Sequence, residues 1–360
     1  MPDPRSLHII GGVALGGAER FFIRLVNALH RHGAPVAVVT TAGGEIAAAI
    51  DPGIPHYHAP QWSTWDFYSR WKIHRAIRAF KPDIVQTYMG RATRIVHLPR
   101  GGRPVHAARL GGYYNLKGYR HAHAWVANTK GIENYLLEAG LPAEQVSHIG
   151  NFAGQANPVS PDALTTLREQ FRIPANARCL VGIGRLHVNK GWADLLEAFS
   201  RLPAELDSRP LWLVMVGDGP LSGSLHAQAE QLGIASRLCW AGWQKHPDPW
   251  YQLADILVCA SRHEPLGNVI LEAWANRALI VSTRSDGPSE LIADGVEGLL
   301  TPVGDPSAMR ENLLKALQLP APQRQSIIDA GQDKLNLHFS EEAIVRQYLD
   351  WYATLLSRLP

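Results

Sequence analysis

Two glutamates, Glu264 and Glu272, stand eight positions apart across the junction between a predicted strand and a predicted helix. Glu264 follows an apolar run, and the helix is predicted to begin near Gly267. Glu272 then lies about 7 Å further along the helix axis. Backbone N–H groups at Leu266 to Asn268 would bind a phosphate, and a carboxylate one turn deeper can accept both hydroxyls of a ribose. Taken singly, each glutamate is more often a helix cap or a solvated charge, but the whole junction favours a ligand site.

A second polar loop, Gly184 to Gly191, also lies between an apolar run and a predicted helix. Its cations, Arg185 and Lys190, are of the kind that stabilise a diphosphate whose negative charge grows as a bond to it breaks. The alternative is a solvated loop with two ordinary cations. Gly182-Ile183-Gly184 lacks the third glycine of a dinucleotide fingerprint, so binding of NAD is poorly supported.

Apolar runs and helical periodicities predict two strand-helix series that would position these loops. The first begins with the apolar stretch 7–10 and a helix after Gly16 and Gly17, and it continues through apolar runs at 34–41, 83–85 and 124–127. The second has apolar runs at 179–184, 211–216, 238–241, 256–260 and 279–282. This alternation predicts an α/β fold with two doubly wound domains, each around a parallel sheet.

Small and turn residues in the segment 153–161 have the composition of an exposed linker. We therefore predict an N-terminal domain over 1–152, a linker over 153–171 and a C-terminal domain over 172–340. Apolar residues at helical spacing between Glu341 and Leu356 predict a final helix within 341–360 that needs a domain to pack on.

The composition is that of a packed globular protein, with 360 residues of which 46% are hydrophobic and 19% charged. The longest apolar runs fall far short of the roughly 20 residues that span a bilayer, and no secretory signal peptide is expected. Cys179, Cys239 and Cys259 lie in apolar runs without metal-ligand spacing, which indicates buried thiols in a reducing cytoplasm. The sequence has neither an Asp-x-Asp pair nor an HExxH motif, and we expect no metal site.

Charge is distributed unevenly along the chain. Residues 1–150 hold 17 Lys and Arg against 9 Asp and Glu, whereas residues 151–360 hold 18 against 23. The basic half therefore favours an anionic partner. It contains a crowded segment whose aromatic residues are Trp62, Trp65, Phe67, Tyr68 and Trp71 and whose cations include Arg70, Lys72, Arg75 and Arg78. We expect contact with the inner membrane or with a phosphorylated lipid-linked glycan; the alternative is that the tryptophans are core and the cations a solvated helix face.

In their order along the chain, these pieces resemble glycosyltransferase family 4, whose members are retaining enzymes of the GT-B fold. The resemblance runs nearly end to end. Its most specific part is the loop 184–191 that holds Lys190, called the lysine loop from here on, in combination with Glu264 and Glu272 at E-x7-E spacing. The matching segments are GGAER (16–20), GRLHVNKG (184–191), VGDGP (216–220), AGWQ (241–244), the pair Glu264 and Glu272, SDGPSELI (285–292) and DGVEGLLTPVGDP (294–306). The segments 110–117 and 151–152 look like bacterial enzymes that build lipopolysaccharide core or surface polysaccharide.

The resemblance implies two Rossmann-like domains facing a central cleft, with the C-terminal helix packing back on the N-terminal domain. It implies a cytoplasmic, metal-independent, retaining enzyme that uses a nucleotide-diphosphate sugar as donor and needs no cofactor. The resemblance also implies a role for each matching residue. Arg185 and Lys190 would contact the diphosphate, and Leu266, Gly267 and Asn268 would add backbone amides.

The sugar, ribose and base would have their own contacts. Glu272 would hold the ribose, and Glu264 would contact the donor sugar or its reacting carbon. Gly242 and Trp243 would lie beside the base. In the N-terminal domain, Gly16 and Gly17 would approach the phosphate or acceptor.

One departure concerns the N-terminal domain. Many family members carry a histidine after the strand that matches Val105 to Ala108, and here Arg109 occupies that place while His106 lies nearby. Arg109 is either a catalytic contact to phosphate or acceptor, or part of a structural ion pair.

Three rival functions follow from the same residues. A nucleotide-sugar epimerase of this architecture would turn over donor without any acceptor. A non-catalytic nucleotide-sugar-binding protein would bind without turnover, although the intact Arg185, Lys190, Glu264 and Glu272 argue against it. The basic half alone suggests a nucleic-acid binder, but the sequence contains no recognised nucleic-acid-binding module, so we expect no nucleic-acid partner.

Overall fold

The chain folds into two compact units in a computed structural model, which describes residues 3–12, 16–154 and 156–359. The first unit comprises Met1–Phe152 and Phe339–Pro360, and the second comprises Ala153–His338. Both are α/β layers built around mainly parallel sheets, as the two strand-helix series predict.

The first unit is a seven-stranded parallel sheet with the order β3-β2-β1-β4-β5-β6-β7. Its central strands are buried on both faces. Strand β2 is almost wholly apolar, whereas β1 contains the buried Ser6 and His8, and β4 contains the buried Gln86 and Thr87. The elements are β1 (Ser6–Ile10), α1 (Gly17–Arg31), β2 (Val36–Thr40), α2 (Gly44–Ala48), β3 (His56–His58), α3 (Phe67–Phe80), β4 (Ile84–Tyr88), α4 (Met89–Ile95), β5 (Val105–Leu110), β6 (Ala124–Ala127), α5 (Lys130–Glu138) and β7 (Val146–His148).

The second unit holds a sheet with the order β11-β10-β8-β12-β13-β14, to which the short β9 adds by antiparallel pairing with β10. Its elements are α6 (Pro161–Gln170), β8 (Arg178–Ile183), α7 (Trp192–Ser200), β9 (Glu205–Leu206), β10 (Arg209–Val216), α8 (Ser222–Gln231), β11 (Leu238–Gly242), α9 (Asp248–Leu253), β12 (Ile256–Cys259), α10 (Asn268–Ala275), β13 (Ile280–Thr283), α11 (Asp286–Leu291), β14 (Leu299–Thr301), α12 (Pro306–Gln318) and α13 (Ala321–His338).

Part of the segment expected to be a linker is helical. Residues 161–170 form α6, whose first turn is capped by Ser160, the side chain of which accepts from the Ala163 N–H. Before it, the Asn157 amide donates to Asp248, and Gln252 accepts from the Val159 N–H at 3.0 Å. These bonds fasten the start of the segment to α9 of the second unit. Small and turn residues therefore indicated the change of unit, but residues 161–170 of the predicted linker 153–171 form a helix of the second unit.

The chain returns to the first unit in its last helix, α14 (Glu341–Ser357). Ser340 caps this helix, and its apolar face carries Ile344, Tyr348 and Tyr352 into the same core as Phe21 and other residues of α1. The Tyr352 hydroxyl donates to the buried Gln86 side chain at 2.7 Å. Packing and a buried hydrogen bond together hold α14 against the first unit's sheet.

Sheet topology brings the two predicted ligand loops of the second unit together. Strand β8 pairs with β12, although helices and strands of some 70 residues separate them along the chain. The order of strands reverses at this pair, because β10 lies on one side of β8 and β13 lies on the other side of β12. Ligands of open α/β sheets bind beyond the carboxyl ends of the strands at such a switch point.

Candidate active site

The loops after β8 and β12 are joined through their backbones. The Asn189 carbonyl accepts from the N–H groups of both Arg262 and His263, at 2.8 and 3.1 Å. Gly191 ends the first loop with a φ of +62°, and a Cβ there would lie 1.9 Å from the Ala260 carbonyl oxygen. Only glycine allows the lysine loop to approach β12 this closely.

This approach pairs two of the predicted site residues. The Lys190 ammonium donates to Glu264 Oε2, and the Ser261 hydroxyl donates to the same oxygen at 3.1 Å. Glu264 is buried, with an exposed fraction of 9%, and its backbone carbonyl accepts from the Gly287 N–H at 2.8 Å. A cation and a carboxylate therefore stand together, held in fixed positions, at the carboxyl ends of β8 and β12.

A second ion pair joins the loop after β12 to the first turn of α7, the helix that follows the lysine loop. The Arg262 guanidinium donates to both carboxylate oxygens of Asp194, each at 2.7 Å, and Asp194 lies in the first turn of α7. The hydrogen bonds that Arg262 donates to Asp194, together with the charge of that carboxylate, raise the pKa of Arg262. A bidentate pair fixes orientation as well as distance. The pair of Arg262 and Asp194 therefore holds the loop after β12 against the start of α7. No local sequence motif indicates this pair, because 68 positions separate its members.

Glu272 lies in α10 and is half-buried. The Tyr251 hydroxyl, from α9, donates to Glu272 Oε2 at 2.7 Å. Burial, with the nearby Glu272 charge, raises the pKa of Tyr251 well above its usual range, so this hydroxyl remains a donor. Tyr251 thereby orients the carboxylate. No sequence motif marked Tyr251 as a site residue.

Helix α10 begins directly after Gly267, which has a φ of +82°. Its predicted start is thus confirmed. Next to it, a Cβ on Gly287 would lie 2.4 Å from the Leu266 carbonyl carbon, so the turn that opens α11 packs directly on the backbone before α10. Leu266 and Asn268 are both half-buried. The backbone N–H groups of the first turn point along the helix axis beyond its amino end, which is the geometry for an anion.

The remaining predicted residues of the second unit, Arg185, Gly242 and Trp243, are exposed and follow or end strands at the carboxyl ends of the sheet. Arg185 has an exposed side chain, while its carbonyl accepts from Trp192 Nε1 at 2.9 Å. Gly242 ends β11 with a φ of +64°, and the next residue, Trp243, is 64% exposed. Strand β11 lies at the edge of the sheet, two strands from β8. An extended ligand that reaches from the Lys190 loop to β11 would have to be several ångströms long, as a nucleotide is.

In the first unit, Gly16 and Gly17 precede and begin α1, and both are exposed. Glu19, by contrast, is buried and accepts from the Gly16 N–H at 3.1 Å. A Cβ on Gly17 would meet nothing within 4 Å, so open space lies beside this start of the helix. Residues 13–15, which complete the loop before it, lie outside the described residues.

Arg109 is buried inside the first unit, with an exposed fraction of 3%. Its guanidinium donates to Asn151 at 2.5 Å and to the Tyr348 hydroxyl at 3.2 Å, and it lies 3.8 Å above the ring of Phe21. His106 is wholly buried and shares a hydrogen bond with Thr87. Arg109 thus fastens α14 to its unit. Of the two alternatives this favours the structural one, with neutral hydrogen-bond partners in place of an ion pair.

Similarity to known proteins decides the family. A model described as Glycosyltransferase Family 4 matches residues 15–153, and one described as Glycosyl transferases group 1 matches residues 165–334. The lipopolysaccharide core biosynthesis glycosyltransferases LpsE and LpsD of Rhizobium meliloti (strain 1021) are 34% and 32% identical to the chain. LpsE aligns over 94% of this chain and 96% of its own length, and LpsD over 97% and 98%. The chain belongs to glycosyltransferase family 4.

The enzyme also resembles solved structures of the GT-B fold. The crystal structure of Anabaena HepE in complex with UDP-glucose matches it with a TM-score of 0.79, at 21% identity, over 99% of this chain and 100% of HepE. The predicted fold class, two Rossmann-like α/β domains of the GT-B type, is therefore confirmed. No helix within residues 3–12, 16–154 and 156–359 is long and apolar enough to cross a bilayer.

Proposed function

We propose that this glycosyltransferase transfers a sugar from a nucleotide-diphosphate sugar to a glycan or lipid-linked glycan, with retention of configuration and without a metal ion. The observation that carries the proposal is the joining of Lys190 and Glu264 beside the amino end of α10, with Glu272 one turn deeper in that helix. The HepE structure contains UDP-glucose, which is a donor of this class.

Stabilisation of the leaving group is the first chemical task. As the bond between the sugar's C1 and the phosphate oxygen breaks, its electron pair goes to the diphosphate. Arg185 and Lys190, together with the N–H groups at Leu266 to Asn268, supply positive charge where this negative charge develops. These groups can take the part that a divalent cation plays in other transferases, which supports a reaction that needs no metal.

Positioning of the donor is the second task. The carboxylate of Glu272, oriented by Tyr251, can accept from both ribose hydroxyls. Trp243, exposed after β11, offers a ring beside the base. Glu264 lies against Lys190, so it is placed to contact the donor sugar's hydroxyls or the positive charge that develops at C1.

Retention of configuration follows when the acceptor oxygen attacks C1 on the face from which the diphosphate departs. The new bond joins C1 to the acceptor oxygen, and the acceptor's proton passes to the departing phosphate oxygen. No side chain of the enzyme then has to act as the base. This route is consistent with the buried position of both Arg109 and His106, which therefore receive no catalytic role in the proposal.

Synthesis of the cell envelope is the proposed setting. LpsE and LpsD are named for lipopolysaccharide core biosynthesis, so we propose a lipopolysaccharide or surface-polysaccharide acceptor. We also propose that the enzyme acts in the cytoplasm, at the inner face of the inner membrane. Three buried, unbridged cysteines support a reducing compartment.

Release of nucleoside diphosphate tests the proposed function. The enzyme would be incubated in EDTA with uridine, guanosine and adenosine diphosphate sugars, with and without a bacterial glycolipid extract. We expect one donor to yield nucleoside diphosphate at a rate that rises with extract and is lost in Glu272→Ala. Turnover of a donor to its epimer without extract would establish an isomerase instead, and binding without release would establish a nucleotide-sugar-binding protein.

A further inference from the structure

Five exposed aromatic side chains lie together on the first unit, at the start of α3 and just before it. The side chains of Trp62, Trp65, Phe67, Tyr68 and Trp71, called the aromatic patch from here on, have exposed fractions of 73%, 81%, 74%, 49% and 55%. Rings of this size usually bury most of their surface. The alternative that the tryptophans form core is therefore wrong, and a clustered exposed patch of this kind marks an interaction surface.

Three rings of the patch stack in a row. Trp62 stacks on Tyr68 with centroids 6.3 Å apart, and Tyr68 stacks on Trp71 at 6.1 Å. Cations cover further ring faces, with Lys72 Nζ 5.1 Å from the centre of Tyr68 and the Arg75 guanidinium 5.7 Å from Trp71. A sugar needs an open ring face on which to stack. Tyr68 and Trp71 each have ring faces in contact with another ring and a cation, while the patch as a whole remains largely exposed. The patch is therefore better suited to insertion between lipid headgroups than to stacking on a sugar.

The same helix is strongly basic. Residues 62–81 contain five Lys and Arg and one acidic residue, Asp66. The Asp66 carboxylate is used within the segment, because it caps α3 and accepts from the backbone N–H groups of Ser69 and Trp62. A groove of about 590 Å³ runs beside the patch, lined by Phe67, Arg70, Trp71, His74, Arg75 and Arg78. Guanidinium groups in such a groove are complementary to phosphate.

We propose that α3 and residues 62–66 form a docking surface for a bilayer of anionic phospholipid. The aromatic patch would lie in the interfacial region, and the cations of the groove would contact phosphate headgroups. Charge complementarity and occupied ring faces favour a lipid surface over a soluble glycan. Binding to the bilayer does not depend on catalysis, but its purpose, to present a lipid-linked acceptor, rests on the proposed function.

The patch is also tied to the first unit's ligand edge. Gln61, the residue before it, is wholly buried, and its amide donates to the Ile10 carbonyl at 2.8 Å. Ile10 ends β1, and the chain beyond it leads to Gly16 and Gly17. A membrane at the patch would therefore lie near the carboxyl ends of β1 and its neighbours, where a ligand of this sheet binds.

Flotation with lipid vesicles tests the proposal. The full chain would be mixed with vesicles of phosphatidylcholine alone, or with about one third phosphatidylglycerol, at physiological salt. Three double variants would be compared: Trp65→Ser with Phe67→Ser, Arg75→Gln with Arg78→Gln, and Lys315→Gln with Arg346→Gln. The last pair is the matched control, since both residues are exposed cations outside α3.

Wild type should float with the anionic vesicles and only weakly with pure phosphatidylcholine. Loss of two surface cations should weaken partitioning by about 30-fold, and loss of the two aromatic side chains by at least about tenfold. The control variant should float like wild type. Binding of nucleoside diphosphate, measured in parallel, should be unchanged in all three and so separates docking from the proposed catalytic function.

Three results would overturn the proposal. One is failure of wild type to float with anionic vesicles. Another is an equal loss in the control and in the Arg75 and Arg78 variant, which would show a general charge effect. The third is flotation that is insensitive to the aromatic changes and abolished by millimolar glucose 6-phosphate, which would assign the groove to a soluble phosphorylated glycan.

Discussion

Replacement of Glu272 by glutamine should weaken nucleotide binding through the ribose alone. In the structure, the Tyr251 hydroxyl donates to one oxygen of this carboxylate. This hydrogen bond orients the carboxylate. We propose that the ribose hydroxyls donate to the carboxylate. Glutamine keeps the shape of the side chain but removes its charge, and one of its two polar atoms becomes a donor.

The magnitude follows from the kind of bond that is lost. A hydrogen bond to a charged group contributes about 1.5–3 kcal/mol. Loss of one such bond should raise the Kd of the nucleoside diphosphate by about 10- to 150-fold. Tyr251→Phe should give a smaller rise, about threefold to tenfold, because the carboxylate remains but loses the donor that orients it. Calorimetric titration with whichever of UDP, GDP and ADP binds wild type would measure both.

A nucleotide that lacks the ribose hydroxyls provides the decisive comparison. The 2′,3′-dideoxy nucleoside diphosphate should bind wild type more weakly than the natural one, and it should bind wild type and Glu272→Gln with equal Kd. Glu311→Gln, an exposed change on α12, is the matched control and should behave as wild type. If Glu272→Gln weakens both nucleotides by the same factor, Glu272 does not hold the ribose and this reasoning is refuted.

Other changes test the rest of the site and the first unit. Lys190→Met should lower kcat by about 100- to 1,000-fold with a smaller effect on donor Kd, because the cation acts mainly as negative charge develops; equal losses in kcat and binding would contradict this. Asp194→Asn should lower kcat/KM by roughly tenfold by releasing Arg262, whereas Asp207→Asn, which breaks an exposed pair with Arg178, should leave it unchanged. Burial lowers the pKa of His8 to about 3. As the pH falls below 6.5, the unfolded chain therefore binds a proton at His8 that the folded chain does not bind, and the free energy of unfolding should fall by about 1.6 kcal/mol between pH 6.5 and 5. Urea unfolding of His8→Gln should show that much less pH dependence, and an unchanged pH dependence would rule out His8 as the cause.

Local patterns were sufficient to predict most strands of the two sheets and the site loops, but not the short strands β3, β7, β9 and β14. Strands such as β2 and β12 are buried on both faces, so their sequences are unbroken apolar runs. The start of α10 after Gly267 was also predictable, because glycine, a following helical periodicity and a preceding strand all lie within a few residues. The resemblance to family 4 added roles for these residues. Similarity to LpsE and LpsD confirms the family, and the roles stay predictions.

Contacts between distant parts of the chain could not be predicted. Asp194 reaches Arg262 and Tyr251 reaches Glu272 only once the sheet has brought α7, α9 and the β12 loop together. The role of Arg109 depended on Tyr348, which lies 239 positions away in α14. For the aromatic patch, sequence alone allowed both core and surface, because the spacing of tryptophans and cations suits a helix in either environment.

The anomeric configuration of the product shows whether the enzyme transfers its sugar with retention and without a metal ion. The donor identified by the release assay would be supplied with its sugar labelled at C1, in EDTA, together with the glycolipid extract, and the new linkage would be examined by NMR through its C1–H1 coupling. We expect transfer in EDTA to a product with the same configuration at C1 as the donor, and transfer by Lys190→Met that is about 100- to 1,000-fold slower. An inverted product, or transfer that requires added metal, would contradict the proposed mechanism.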